Sequence, residues 1–238
     1  GGEQINYDAF YNFKSIWVEA GKVRFTVSDT TYKGEQCFHF EGKGKSIKSY
    51  DWFFKVRDYY ASIASKENLI PRRFTKKMNE GGVKKNYDYH FHKNETATVF
   101  ESGTDTSKHI LIQVPKCSFD IMTAVYYART LDFSSLDIGD TVPLSYMIDK
   151  QIYNVHIRYT GKKVVKTLDK KKYNCLKFRP LLIEGTLFEE GEFMEVFVTD
   201  DKNRIPIYIE AEIIVGKVKA YITSMKNVKY PLTSRIKP

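Results

Sequence analysis

Residues 199–222 read TDDKNRIPIYIEAEIIVGKVKAYI. A polar cluster, Asp200 to Asn203, stands between two stretches of alternating apolar residues, where a turn belongs. Ile205, Ile207, Ile209, Ala211 and Ile213 then fall on one face, with Tyr208, Glu210 and Glu212 on the other. A period of two is that of a half-buried strand. Pro206 near its start cannot donate to a ladder, which predicts an edge position or a ladder gap. Gly216-Lys217 reverses the chain into Val218, Ala220 and Ile222. Two reversals this close together specify antiparallel strands joined by tight turns.

The same grammar extends outward in both directions. Val23, Phe25 and Val27 alternate with Arg24, Thr26 and Ser28, and Cys37 to Phe40 follows the turn Tyr32 to Glu35. The run SYDWFFKVRDYYASI, Ser49 to Ile63, reads as one long aromatic strand. It places Tyr50, Trp52, Phe54 and Val56 on one face and Phe53, Lys55, Arg57 and Tyr59 on the other. Breaks at 68–71 and 80–82 precede strands at Tyr87–Phe91 and Thr96–Phe100. In the C-terminal half, Val142 to Ile148 turns at Asp149-Lys150-Gln151 into Tyr153 to Tyr159, and Gly161-Lys162 predicts a further reversal. Tyr173 to Arg179 and Met194 to Val198 complete the series. EAGKVRFTV near the start is similar to IVGKVKAYI near the end, as two Gly-centred hairpins would be. Only Ser118–Leu131 breaks the period: Ile121, Val125, Ala128 and Leu131 have helical spacing, with Ser118 or Asp120 as N-cap and Arg129 at the C-terminal end.

Bulk properties bound the function. A chain of 238 residues can bury a core without disulfide or metal, and residues 1–238 are expected to form one all-β domain. The formal net charge is +9, yet the lysines are spread along the chain and no nucleic-acid motif is present, so no nucleic-acid partner is expected. No apolar stretch is long enough for a transmembrane segment. Gly1-Gly2-Glu3 shows no initiator Met, as after removal of a signal peptide; N-terminal lipidation stays open. Cys37, Cys117 and Cys175 form no disulfide framework: either Cys117 and Cys175 pair or all three are buried thiols.

Candidate chemistry is sparse. His90 and His92 share a strand face, but no spacing supplies His39, His109 or Glu101 as a third ligand, so no metal site is predicted. Cys37 and His39 point in parallel rather than at each other, the disposition of a packed thiol rather than a nucleophile. Asp51, Arg57 and Asp58, and likewise Asp120 and Arg129, read as structural ion pairs. No cofactor-binding, nucleophile-elbow or metalloprotease motif occurs, no catalytic residue is nominated and no cofactor is expected. The remaining candidates are aromatic. Trp52, Phe54 and Arg57 would line a ligand pocket if the sheet curls, or Trp52 and Phe54 would fill a sealed core.

Four blocks then resemble one family in order. They are GEQINYDAFYNFKSIWVEAGKVRFTV, WFFKVRDYYASIASKENLIPRRF, DIMTAVYYAR and VTDDKNRIPIYIEAEIIVGKVKAYI, and together they resemble domain of unknown function 3108, a group of exported bacterial proteins. Phe197 stands where the resemblance leads one to expect Trp. The resemblance implies an all-β periplasmic or envelope protein with a signal peptide. It supplies no catalytic residues, and structural roles for Asp120, Arg129, Arg204 and Pro206.

The expected fold is mainly β: an antiparallel, strongly curved sheet or incomplete barrel, lipocalin-like or LolA-like in general shape, around one helix near 118–131. A two-sheet β-sandwich is the alternative. The expected function is a non-enzymatic envelope module that binds an apolar or amphipathic ligand, lipid or glycan. The alternatives are an adaptor meeting envelope proteins or polymers, and a hydrolase whose cleft gathers His39, His90 or His92 with a carboxylate.

Overall fold

The computed structural model describes residues 2–13, 16–102, 109–183, 190–214 and 216–237. The N-terminal arm contains β1 (Gln4–Phe13), β2 (Ile16–Tyr32), β3 (Glu35–Ser46), β4 (Arg57–Ser65), β5 (Pro71–Glu80), β6 (Val83–Phe91), β7 (Thr96–Ser102) and β8 (His109–Gln113). Next come a two-residue strand, β9 (Phe119–Asp120), and the helix α1 (Ile121–Ala128). The C-terminal arm is β10 (Thr141–Ile148), β11 (Gln151–Lys166), β12 (Lys172–Pro180), β13 (Met194–Thr199), β14 (Pro206–Glu212), β15 (Lys217–Lys226) and β16 (Arg235–Ile236).

All sixteen strands belong to one sheet. Each arm is a meander of antiparallel neighbours, as tight turns between alternating segments dictate, except that β16 turns back to pair with β12. The arms are joined where β1 pairs with β15, so the two ends of the chain meet in the middle of the sheet and the free edges are β8 and β9. The sheet is curved and unclosed rather than a sandwich. Register shifts at Asn6/Tyr7, Ala9/Phe10, Ile63/Ala64, Tyr159/Gly161 and Phe197/Val198 bend it.

The hollow of the sheet is occupied by α1. Met122 and Tyr126 join Phe40, Phe74, Tyr89 and Met147 in one buried cluster, which draws on both arms. Tyr126 stacks on Phe40 with ring centroids 4.1 Å apart. Asp120 is the N-cap, its carboxylate accepting from the Met122 and Thr123 amides, while the Thr123 hydroxyl lies 3.0 Å from the Asp120 amide as the other half of a capping box. The Ser62 hydroxyl also donates to Asp120, at 2.6 Å, which nails the helix start to β4. Burial pushes the Asp120 carboxyl up to about 6, against the hydrogen bonds that favour its charged form.

The helix departs from the sequence reading in length and in face. It covers Ile121–Ala128, and Met122, Thr123, Ala124 and Tyr126 are buried while Val125 is exposed. The face through Met122, Tyr126 and Arg129 has the same spacing as the predicted one and carries the longer side chains that reach across the hollow.

Further readings are corrected. Gly161, at φ +110°, sits at a bulge inside β11 and does not reverse the chain; the turn is at 167–171. Gly21 likewise lies within β2, so EAGKVRFTV is not a hairpin and the internal repeat dissolves. A Cβ there would come within 2.8 Å of the Lys45 carbonyl oxygen, so close strand approach is what requires glycine. Pro206 opens β14 at a register shift against β13, which is the expected ladder gap; β14 lies between β13 and β15, so the edge alternative falls. The three cysteines are free, Cys37 and Cys175 buried and Cys117 exposed.

Across the open side, the hollow is bridged by a hairpin tip. Asp149 and Lys150, both at positive φ, make the β10–β11 turn. Asp149 pairs with Lys76 at 2.5 Å and Lys85 at 2.6 Å, and Lys150 pairs with Glu101 at 2.9 Å. The Tyr89 hydroxyl accepts the Lys150 amide. The C-terminal arm is thus fastened to β5, β6 and β7 without a ladder between them.

Candidate binding site

The segment from Ile47 to Val56, between β3 and β4, is a looped excursion rather than the predicted strand. Tyr50, Asp51, Phe53 and Phe54 amides donate backward to Ile47, Lys48 and Tyr50 carbonyls, so the chain coils through a 3₁₀ turn at Lys48–Tyr50. Local side chains hold the coil. Ser46 donates to Asp51 and accepts the Val56 amide at 3.0 Å, and Arg57 grips Asp51 at 2.6 and 3.1 Å. Ser and Asp competing for nearby backbone and guanidinium groups defeat the strand that aromatic content alone would favour.

This moves the predicted site residues. Trp52 is 81% exposed at the loop's apex, so it neither fills a core nor faces the hollow. Phe54 folds against the β5–β6 turn: a Cβ on Gly81 would meet its ring at 2.5 Å. Phe53, exposed, reaches Tyr11 with ring centroids 5.9 Å apart. Arg57 alone of the three faces a cleft.

That cleft measures about 360 Å³ and is lined by Lys22, Lys45, Ser46, Ile47, Lys48 and Arg57. Strand register builds it. Lys22 on β2 stands opposite Lys45 on β3, which stands opposite Arg57 on β4. Like charges directly across neighbouring strands are destabilising. Lys22 is relieved by Asp8 at 3.0 Å and Glu19 at 2.9 Å, and Arg57 by Asp51. The Ser46 hydroxyl and the Arg57 guanidinium together hold the Asp51 carboxyl below its ordinary range. Lys45 and Lys48 have no ion-pair partner among the described residues. Sequence reasoning missed these lysines, although GKGKSIKS, residues 42–49, carries the signal: lysines alternating with glycines put cations on one strand face with little around them.

The other candidates are not brought together. His90 lies 3.2 Å from Asp88 and His92 lies 2.8 Å from Thr98, separate partnerships on the sheet. Among the described residues no group of three or more His, Cys, Asp or Glu side chains is placed to hold a metal. Arg129 pairs with Glu3 rather than with Asp120. Arg204, at positive φ, stacks over Phe133 at 5.1 Å. The Pro206 carbonyl accepts the Tyr7 hydroxyl at 2.9 Å.

A family described as "Protein of unknown function (DUF3108)" matches residues 6–223. The chain belongs to DUF3108. Among solved structures, this DUF3108 protein is similar to a beta-barrel-like protein of domain of unknown function DUF1849 from Brucella abortus. The two share 9% identity over 94% of this chain and 97% of that one, with a TM-score of 0.59. At that identity the likeness concerns the fold alone. No curated protein matches. No helix among the described residues is long and apolar enough to cross a membrane, which leaves strands out of account.

Proposed function

We propose that this DUF3108 protein is a non-catalytic binding module of the cell envelope, folding as one unit, that takes an amphipathic ligand with an anionic head group, lipid or glycan. The observation that carries the reading is the row Lys22–Lys45–Arg57, directly opposed cations lining a cleft of about 360 Å³, with an exposed tryptophan on the loop whose first residues line it. A fold that tolerates like charges face to face, and leaves Lys45 and Lys48 without counter-ions among the described residues, supports an anion as the missing partner. Trp52 and Phe53 add apolar surface next to the charge, which suits an amphiphile better than a free inorganic anion. The hollow itself is packed by α1, so the reading places the ligand at the rim and not inside the sheet.

The test is calorimetric titration of the full chain with a short-chain phosphatidylglycerol kept below its micelle concentration, alongside the zwitterionic phosphatidylcholine of equal chain length. Preferential binding of the anionic amphiphile, lost in Lys45→Ala/Lys48→Ala with unchanged circular dichroism, is expected. Equal affinity for both head groups, or binding indifferent to the two lysines, refutes the reading.

A further inference from the structure

Strand direction sorts the connections of an antiparallel sheet to two ends. The ends of β1, β3, β5 and β14 and the starts of β2, β4, β6 and β15 all lie at one end. Contacts make that end continuous. The Gly81 amide donates to the Lys55 carbonyl at 2.9 Å, Phe54 rests on Gly81, and Phe53 reaches Tyr11. Tyr11 in turn touches Gly216 of the β14–β15 turn.

Exposed apolar residues on this rim include Ile16, Trp17, Trp52, Phe53, Val83 and Ile214. Such side chains are normally buried, and an apolar group gathered at one end of a monomer marks a contact surface. Cations stand among them. Lys45, Lys48, Lys55 and Lys84 are exposed and make no ion pair among the described residues, and Lys219 lies 4.1 Å over the Trp17 ring. The described acids nearby are mostly engaged: Glu19 by Lys22, Asp51 by Arg57, Glu212 by Lys217. Glu190 is exposed on the same side.

Tryptophan, isolated aliphatic side chains and unpaired lysines on one surface match the chemistry of a bilayer interface. Indole rings settle at head-group depth, and lysines meet anionic head groups. We infer that this rim docks on the surface of an anionic lipid bilayer, with Trp52 and Trp17 entering the head-group layer and the Lys22–Lys45–Arg57 cleft receiving a head group from that same layer. The inference extends the cleft reading by naming the source of its ligand. It also accounts for an exposed Trp52, which a cleft for a free solute leaves idle.

The chain contains two tryptophans, and both lie on the rim, so tryptophan emission excited at long wavelength reports this surface alone. The experiment mixes the full chain with vesicles of phosphatidylcholine containing about one-third phosphatidylglycerol, and with pure phosphatidylcholine vesicles, in about 0.15 M salt, where charges more than ~8 Å apart are largely screened. Co-sedimentation and a blue shift on the anionic vesicles only are expected. Each lysine close to an anionic leaflet contributes about fivefold in affinity, so Lys45→Ala/Lys48→Ala should weaken partitioning about twenty-five-fold. Trp52→Ala/Phe53→Ala should remove most of the blue shift; all four substituted residues are exposed, and circular dichroism checks that the sheet is intact. Failure to sediment with anionic vesicles, or sedimentation without a blue shift, overturns the inference. A blue shift with soluble dextran sulfate and none with vesicles also overturns it, while leaving an anion-binding cleft standing. Vesicle docking without any binding of the short-chain anionic lipid sinks the cleft reading and keeps the docking surface.

Discussion

The guanidinium of Arg129 holds the carboxylate of Glu3 through two hydrogen bonds of 2.7 and 2.8 Å, while its Nε donates to the Asn203 carbonyl at 3.1 Å. Both side chains are nearly buried, at 13% and 12% exposure. One residue just past α1 thus ties together the start of the chain, the helix and the loop before β14.

Removing one partner of such a pair strands the other charge in a desolvated site. Arg129→Ala should destabilise the protein by about 3–5 kcal/mol. Arg129→Lys should recover only part of this, because an ammonium cannot bond both carboxylate oxygens in the same plane. Urea denaturation midpoints at pH 7 measure both, and a loss under about 1 kcal/mol for the alanine variant contradicts the assignment.

The hairpin tip at Asp149 offers a second contrast. Lys76 is 4% exposed and Lys85 is 37% exposed, yet both bond Asp149. Asp149→Ala leaves Lys76 buried without its carboxylate and should cost about 3–5 kcal/mol. Lys85→Ala should cost under about 1 kcal/mol. Hydrogen exchange should show faster opening around β5 and β6 in the first variant and little change in the second.

The loop of residues 200–205 predicts a third. Asp201 accepts from Thr199 Oγ1, the Asn203 amide and Ser234 Oγ at 2.9, 2.9 and 2.6 Å, inside the protein. Its neighbour Asp200 makes a surface pair with Lys162 at 2.8 Å. Asp201→Ala should cost about 2–4 kcal/mol by orphaning buried donors, and Asp200→Ala under about 1 kcal/mol. Thermal melts of the two single variants separate them.

Asp58 gives a pH dependence with a definite sign. Burial and the adjacent Glu80 carboxyl push its pKa up to about 7, opposed by the Asn79 amide and by Lys76. A carboxyl raised above its ordinary value near 4 stays protonated in the fold while the unfolded chain ionises. Its contribution is therefore complete below pH 4, is lost as pH rises towards 7, and is constant above. Asp58→Asn, which keeps an acceptor for the Asn79 amide, should flatten the stability profile between pH 4 and 7 relative to the parent. Parallel profiles for the two proteins would contradict the assignment.

Much of this architecture is legible along the chain. The alternation at Ile205–Ile213, the reversal near Gly216, the turn at Asp149-Lys150 and the N-cap at Asp120 stand where local chemistry puts them. The errors share a cause. SYDWFF was read by aromatic content, but Ser46, Asp51 and Arg57 form hydrogen bonds that coil it. Gly161 and Gly21 have the local chemistry of turns, yet pairing with neighbouring strands continues through them. The cationic cleft was missed because its members sit on three strands and meet only through register.

What the amino-acid sequence determined by itself was the element type, because side-chain period, turn residues and caps act within a few positions of one another. Tertiary structure alone decided which face of α1 is buried, that β1 meets β15, that Asp149 fastens two arms, and that cations from separate strands gather in one cleft. Those outcomes depend on sheet curvature and on contacts between residues far apart in the chain, which no short window of sequence contains.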